Sequence, residues 1–413
     1  MLSLNTSPHK LQRRLQVNYQ SKRIPFPEWI QQFTLCFAPF VAHLLTGVPE
    51  FVVVNSKRPP SWTQINFYNP VTIIWRYIMI ADRRLRSRQW TAEDMAASNA
   101  AFWTGNEWDG SENIMLLSRE WITRRPTHNR VSLLSVSMLG TIIIAMQGVQ
   151  ATYQLLQIIW THLSPIQALP DMFIPLAVGS LFRLPAAMWL TNEFGYDGWK
   201  RDGTEVTLLQ PISRPSSPWP GTLTPTENLK QNISFDSKSL INRNVRRHSE
   251  TSWPLPAHPI DIEARSIDDT WREISPENHL RPQKYWKANL FRLTYIVLLF
   301  GIIVVFGIGH LVAQRDVPTV ASLILVHFLY ISFCLVLLIL SIYYFLTGKA
   351  TTVLIPCFNS AWYTTFTIMW YLYCLVCIVF NCVEMRRTSC GVYTTYPFSD
   401  GFDDKLCSLY GSL

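Results

Sequence analysis

The chain has 413 residues, 48% of them apolar and only 15% charged, and a formal net charge of +8. Soluble domains carry about 25% charged residues, and here the apolar residues gather into long runs, so composition argues against a set of soluble domains. The modest charge lacks a Lys/Arg patch interleaved with aromatics, which argues against a nucleic-acid reader. Eight scattered cysteines are no disulfide framework.

Residues 1–28 form a basic, polar arm (Lys10, Arg13, Arg14, Lys22, Arg23) without a cleavable apolar core behind it, so no signal peptide is expected. A Trp-rich region, 29–130, follows. Its first apolar run, 33–54, is interrupted by Pro39, His43, Pro49 and Glu50. Two readings stand open for it: a re-entrant or interface-lying segment, or a true crossing, and the choice sets the side of the N-terminus.

Six tryptophans (Trp62, Trp75, Trp90, Trp103, Trp108, Trp121) punctuate this region, and an apolar patch from Val71 to Ile80 runs into Asp82, Arg83, Arg84, Arg86 and Arg88. Indole and guanidinium groups both find partners in the headgroup layer, so these arginines are candidates to meet anionic phospholipid headgroups. The other reading is a small helical domain with the tryptophans as its own core. Thr91 with Asp94 is a capping-box start that predicts a helix over Ala92 to Trp103. Trp108 to Ser111 reads as a turn, with Ser111 capping a second helix through Trp121.

Residues 131–192 read as a transmembrane hairpin. Its first helix, Val131 to Trp160, holds no charge and exceeds the roughly 20 residues that cross a bilayer. Gln147, Gln150, Gln154 and Gln157 recur at steps of three and four, which keeps the amides on one face. An unpaired amide in hydrocarbon costs several kcal/mol on the order of, so that face should meet other helices or a wet cavity. The return helix, Pro170 to Leu190, carries Arg183 between Pro175 and Pro185. Gln147 lies thirteen residues inward from Trp160 and Arg183 thirteen inward from Pro170, which puts both at one depth. Two readings follow: a polar pocket of Gln147, Gln150, Gln154 and Arg183 that holds an anionic or polar amphiphile, or interhelical glue without a ligand.

Residues 193–287, rich in Pro, Ser, Asn and Arg, read as a largely disordered cytosolic linker. Three spans occupy 288–384, with Tyr285, Trp286, Tyr343, Tyr344, Trp362 and Tyr363 near their ends as an aromatic belt. Lys and Arg concentrate before the hairpin and in the linker. The positive-inside rule then puts those segments in the cytosol and the tail, 385–413, in the lumen or outside, where a Cys390 to Cys407 disulfide is permitted. Asn232 would then stay unmodified, and Asn5 would be a glycosylation acceptor only if six segments cross.

Chemistry is sparse. Nine histidines include no pair at i and i+3 or i+4, and the Cys374/Cys377 spacing lies in the middle of a span, so no metal or cofactor site is expected. No GxSxG, P-loop or Rossmann glycine pattern is present. Gly301, Gly307 and Gly309 read as helix-packing positions.

The FTLCFAPFVAHLLTGVPE run, the stretch from Tyr68-Asn69-Pro70 to ADRR, TAEDMAASNAAFW, WDGSE and the QGVQA around Gln147 resemble a group of fungal multi-spanning membrane proteins. The likeness covers about the first 190 residues; it implies a eukaryotic membrane-bound protein and supplies no catalytic residue. The expected fold is an all-α polytopic bundle of five or six transmembrane helices, embedded in an endomembrane or the plasma membrane. The expected function is that of an accessory, scaffold or small-molecule transport factor. The alternative is an integral-membrane enzyme acting on a lipid-like metabolite through His43, Glu50 or the Arg183 region.

Overall fold

A computed structural model describes residues 19–21, 24–54, 58–161, 172–196, 279–316 and 321–410. Most of the basic arm and of the expected linker, with Asn5 and Asn232, lie outside them. Helix α1, Phe26–Gly47, starts where Pro25 and Pro27 fix the entry backbone. At this end Glu28 accepts hydrogen bonds from Arg387 (2.7 Å) and from the Tyr393 hydroxyl. At the other end, the Thr46 and Gly47 carbonyls accept from Arg183 and Arg76, both at 2.7 Å. Twenty-two residues at about 1.5 Å each reach about 33 Å. The helix joins the tail face to the Trp-rich face, and its apolar continuation leaves it as a strand.

That strand, β1 (Glu50–Val53), pairs in parallel with β2 (Ala100–Trp103), which pairs antiparallel with β3 (Trp108–Asp109). Helix α3 covers only Ala92–Asn99, opened by the expected capping box between Thr91 and Asp94. The expected continuation to Trp103 is corrected by tertiary pairing. Asn99 turns its amide back onto the Met95 carbonyl (2.8 Å), and the next four residues, two of them aromatic, add to the β1 edge. Ser111 caps α4, Glu112–Leu117, which continues as a 3-10 turn to Trp121.

Helix α2, Pro70–Arg86, is the hub of this layer. Asn69 caps it, and fifteen of its seventeen residues are buried. Thr72 shares a hydrogen bond with Tyr363, the Trp75 indole donates to the Thr352 carbonyl, and Trp75 stacks on Phe345. A helix buried all round must satisfy its polar groups inside the protein.

Four helices among the described residues are long and apolar enough to cross a membrane: α5 (Val136–Thr161), α7 (Trp286–Asp316), α8 (Ala321–Leu346) and α9 (Ala361–Glu384). The chain is an all-α membrane-helix bundle. The return arm of the hairpin is shorter than expected: a single α-helical stretch, α6 (Ile174–Gly179), tightens into a 3-10 segment over Ser180–Trp189 that holds Pro185. Proline removes an amide donor from the ladder, consistent with the switch. Packing is tight at Gly148, where an added Cβ would lie 2.7 Å from Leu181 and 2.8 Å from the Ala177 carbonyl. Gly301 is different: nothing lies within 4 Å of where its Cβ would be, so it is no packing position.

The aromatic belt divides its work. Trp286, Tyr343 and Trp362 are exposed, whereas Tyr344 and Tyr363 are buried. Beyond α9 the tail folds back through a two-stranded ribbon, β4 (Arg386–Arg387) with β5 (Tyr393–Thr394), onto α10 (Asp400–Tyr410). Arg386 pairs with Asp403, donating to its carboxylate at 2.7 Å, and a disulfide joins Cys390 to Cys407.

Candidate functional site

Because α2 is enclosed, its polar residues expose the logic of the Trp-rich face. Arg76 donates to the Gly47 carbonyl and, at 3.0 Å, to both oxygens of Asn99. Asp82 lies between two cations, Arg86 at 2.9 Å and Arg292 at 2.8 Å, and Arg86 also pairs with Glu112. Burial works against the charge on Arg86, and Asp82 and Glu112 more than offset it, so its pKa is raised. Arg83 has carbonyl partners instead, Thr351 at 2.8 Å and Gly110, and burial pushes its guanidinium down to about 10. Of the four arginines that the sequence offers to phospholipid headgroups, Arg83 and Arg86 are thus buried inside the protein and Arg88 is exposed.

Arg84 is the exception. Its guanidinium lies 6.0 Å from the centre of the Trp90 ring and 5.7 Å from that of Trp189, within cation–π range of both. Its Nε is buried without a hydrogen-bond partner, and so is the Trp90 Nε1. Together with His128, Asn129, Arg130, Met188 and Trp189 it lines a cavity of about 510 Å³. None of these six residues is acidic. Arg84 and Arg130 thus give the cavity two positive charges with no carboxylate among its lining residues, which suits an anion.

Its position is fixed by the hairpin. Val131 donates to the Met188 carbonyl at 2.8 Å, clamping the chain before α5 to the end of the return segment. Directly beyond Arg130 come the exposed residues Leu133, Leu134 (98% exposed) and Val136, where α5 enters the apolar zone. An apolar foot thus stands next to a cationic cavity.

About two helical turns further along α2 lies a second polar centre. Arg183 is 3% exposed and donates to Thr141 (2.8 Å), the Thr46 carbonyl (2.7 Å) and the Tyr77 hydroxyl (3.0 Å). All three partners are neutral, and no described ion pair includes Arg183. His43 is buried beside it, its ring edge-on to Tyr77 at 6.3 Å and both its nitrogens without a partner. Neither Gln147 nor Gln150 has a described hydrogen bond to Arg183. Gln147 is half-buried and Gln150 exposed, and the side chain of Gln154 lies outside the described residues. The reason is angular: the return segment packs on Gly148 and bonds Thr141, a face about 100° per residue away from that of Gln147 and Gln150.

Sequence reasoning found Arg84 as one of a basic cluster and did not find His128, Arg130 or Trp189. Only the tertiary fold brings these three segments together, and no spacing rule marks them. Among the described residues no group of His, Cys, Asp or Glu is arranged to hold a metal ion. No family model, curated protein or solved structure matches the chain.

Proposed function

We propose that this integral membrane protein works without catalysis, as an accessory or small-molecule transport factor that holds an anionic phospholipid by its headgroup in the Arg84 cavity. The observation that carries the reading is Arg84, within cation–π range of two indoles and lining, with Arg130, a cavity whose six residues include no carboxylate. A phosphate would accept from Arg84 and Arg130, while Leu133 and Leu134 lie in the acyl layer beside it. The Lys and Arg of the Trp-rich region argue for a cytosolic placement of this face in an endomembrane or the plasma membrane.

The test is native purification followed by mass spectrometry of bound lipids, in the wild type and in Arg84→Ala with Arg130→Ala. Loss of a phosphatidate- or phosphatidylserine-class lipid in the variant, with the thermal midpoint unchanged, is the expected result. Identical lipid content in both would overturn the reading. The competing enzyme reading rests on His43, whose ring nitrogens are free to act but enclosed; turnover of a bound lipid that His43→Gln abolishes would favour it.

A further inference from the structure

Two guanidinium groups reach the Arg84 cavity from separate segments. Arg84 comes from α2 and is half-buried beside the indoles, so a charge placed against it is screened less than at an open surface. Arg130 comes from the loop before α5, and that loop is held at two points. The Asn129 amide donates to the Trp90 carbonyl at 3.4 Å, and the Val131 amide donates to the Met188 carbonyl at 2.8 Å.

The acidic residues nearest in the chain are engaged elsewhere. Glu93 pairs with Arg125 at 3.1 Å, Asp94 meets His279 at 3.0 Å, and Asp82 pairs with Arg86 and Arg292. Glu193, four residues beyond Trp189, is exposed and does not line the cavity. The lining thus carries two guanidinium charges and no carboxylate to offset them.

That balance distinguishes one anion from another. A phosphodiester headgroup holds a single negative charge, and in phosphatidylserine an ammonium group accompanies it. A phosphate monoester carries about −1.5 to −2 at pH 7 and keeps three oxygens free to accept. A dianion would therefore meet one guanidinium per charge, with an oxygen for each. An ammonium group entering the same space would face Arg84 and Arg130 and find no carboxylate.

We infer that the cavity selects a phosphate monoester over phosphodiesters. This rests on the headgroup reading above and narrows it. The same group is found on a lipid, as in phosphatidate, and on soluble sugar phosphates. The cavity of about 510 Å³ lies within the range of about 300–1,000 Å³ of small-molecule pockets, and so has room for either.

The experiment places the full-length protein in phosphatidylcholine nanodiscs doped at equal mole fraction with phosphatidate, phosphatidylglycerol or phosphatidylserine. Retained lipid is counted by native mass spectrometry, with glycerol 3-phosphate as the soluble competitor. Phosphatidate should be retained about tenfold over the two diesters, the weight of one further charge-assisted hydrogen bond. Arg130→Gln, at an exposed position, should bring phosphatidate down to the diester level. Arg125→Gln, on the same loop but outside the lining, should leave the preference in place. Displacement of phosphatidate by glycerol 3-phosphate would support the monoester and show that the soluble source reaches the site. Glycerol 3-phosphate bound without any phosphatidate would keep the monoester and remove the lipid reading. Equal retention of all three lipids, lowered alike by Arg130→Gln, would overturn the monoester and leave the headgroup reading standing. A phosphatidate preference that Arg130→Gln does not change, or that Arg125→Gln abolishes, would also overturn it. Retention of no anionic lipid and no glycerol 3-phosphate would overturn both.

Discussion

Asp82 of α2 and Arg292 of α7 form a two-point contact, Nε to Oδ1 and Nη2 to Oδ2, each at 2.8 Å. It ties the Trp-rich layer to a span more than two hundred residues later in the chain, and Asp82 is fully buried. The same carboxylate holds Arg86, so its removal leaves Arg292 without a counter-ion and Arg86 with Glu112 alone. Breaking such a buried pair from one side costs about 3–5 kcal/mol. Asp82→Asn should lower the unfolding midpoint in mixed micelles accordingly. Asp82→Leu with Arg292→Leu should recover most of the loss, because both charges then leave together; an unchanged midpoint in Asp82→Asn would show that the pair is not structural.

The two glycines on α5 and α7 give a matched comparison. Gly148→Ala places a methyl against a backbone carbonyl that cannot rotate away, so α5 and the return segment must separate, at about 1–3 kcal/mol. Gly301→Ala meets nothing and gains helix propensity of about 1 kcal/mol at an open position. Thermal unfolding of the two variants in the same detergent checks the sign of each shift. Equal shifts would mean that the close approach at Gly148 does not decide the packing.

Arg183 provides the third test. Three buried oxygens lose their donor in Arg183→Ala, and each such loss costs about 1 kcal/mol or more, so a destabilisation of about 2–4 kcal/mol is expected. Thr141→Val removes one of the three acceptors and should cost a fraction of that. A fully stable Arg183→Ala would mean that the cation is kept for a ligand and not for the fold.

Much of the membrane architecture was legible in the sequence because hydrophobic length is a one-dimensional property. Val136 to Tyr153 and the three later spans stand out by length and the scarcity of charge alone. Side-chain pairing is not one-dimensional. Thr141, Tyr77 and Thr46 reach Arg183 from three elements, and the depth arithmetic that matched it to Gln147 could not see that Gly148 sets the facing surface. The same limit hid β2: Ala100 to Trp103 continues a well-capped helix in sequence, and only the Glu50–Val53 edge beside it turns it into a strand.

The contacts of α1 put its first residues on the same face as the tail, and the sidedness of that face can be read biochemically. Glu28 bonds Arg387 and Tyr393, and the Gln20 amide donates to the Val383 carbonyl at 3.1 Å, so the residues before α1 share a face with the tail. If that face is lumenal, as the basic content of the opposite face argues, the sequon at Asn5 meets the glycosylation machinery and the one at Asn232 does not. Expression in eukaryotic cells should then give a mass shift that glycosidase removes, that Asn5→Gln abolishes and that Asn232→Gln leaves in place. The disulfide supplies an independent reading of the same face. With Cys390 and Cys407 joined across a separation of 17 residues, an alkylating mass tag should add to both only after reduction, and reduction should destabilise the tail by about 3 kcal/mol. A glycan at Asn232, or free thiols at Cys390 and Cys407 in protein isolated under an alkylating quench, would reverse the assignment and place the Arg84 cavity on the lumenal side.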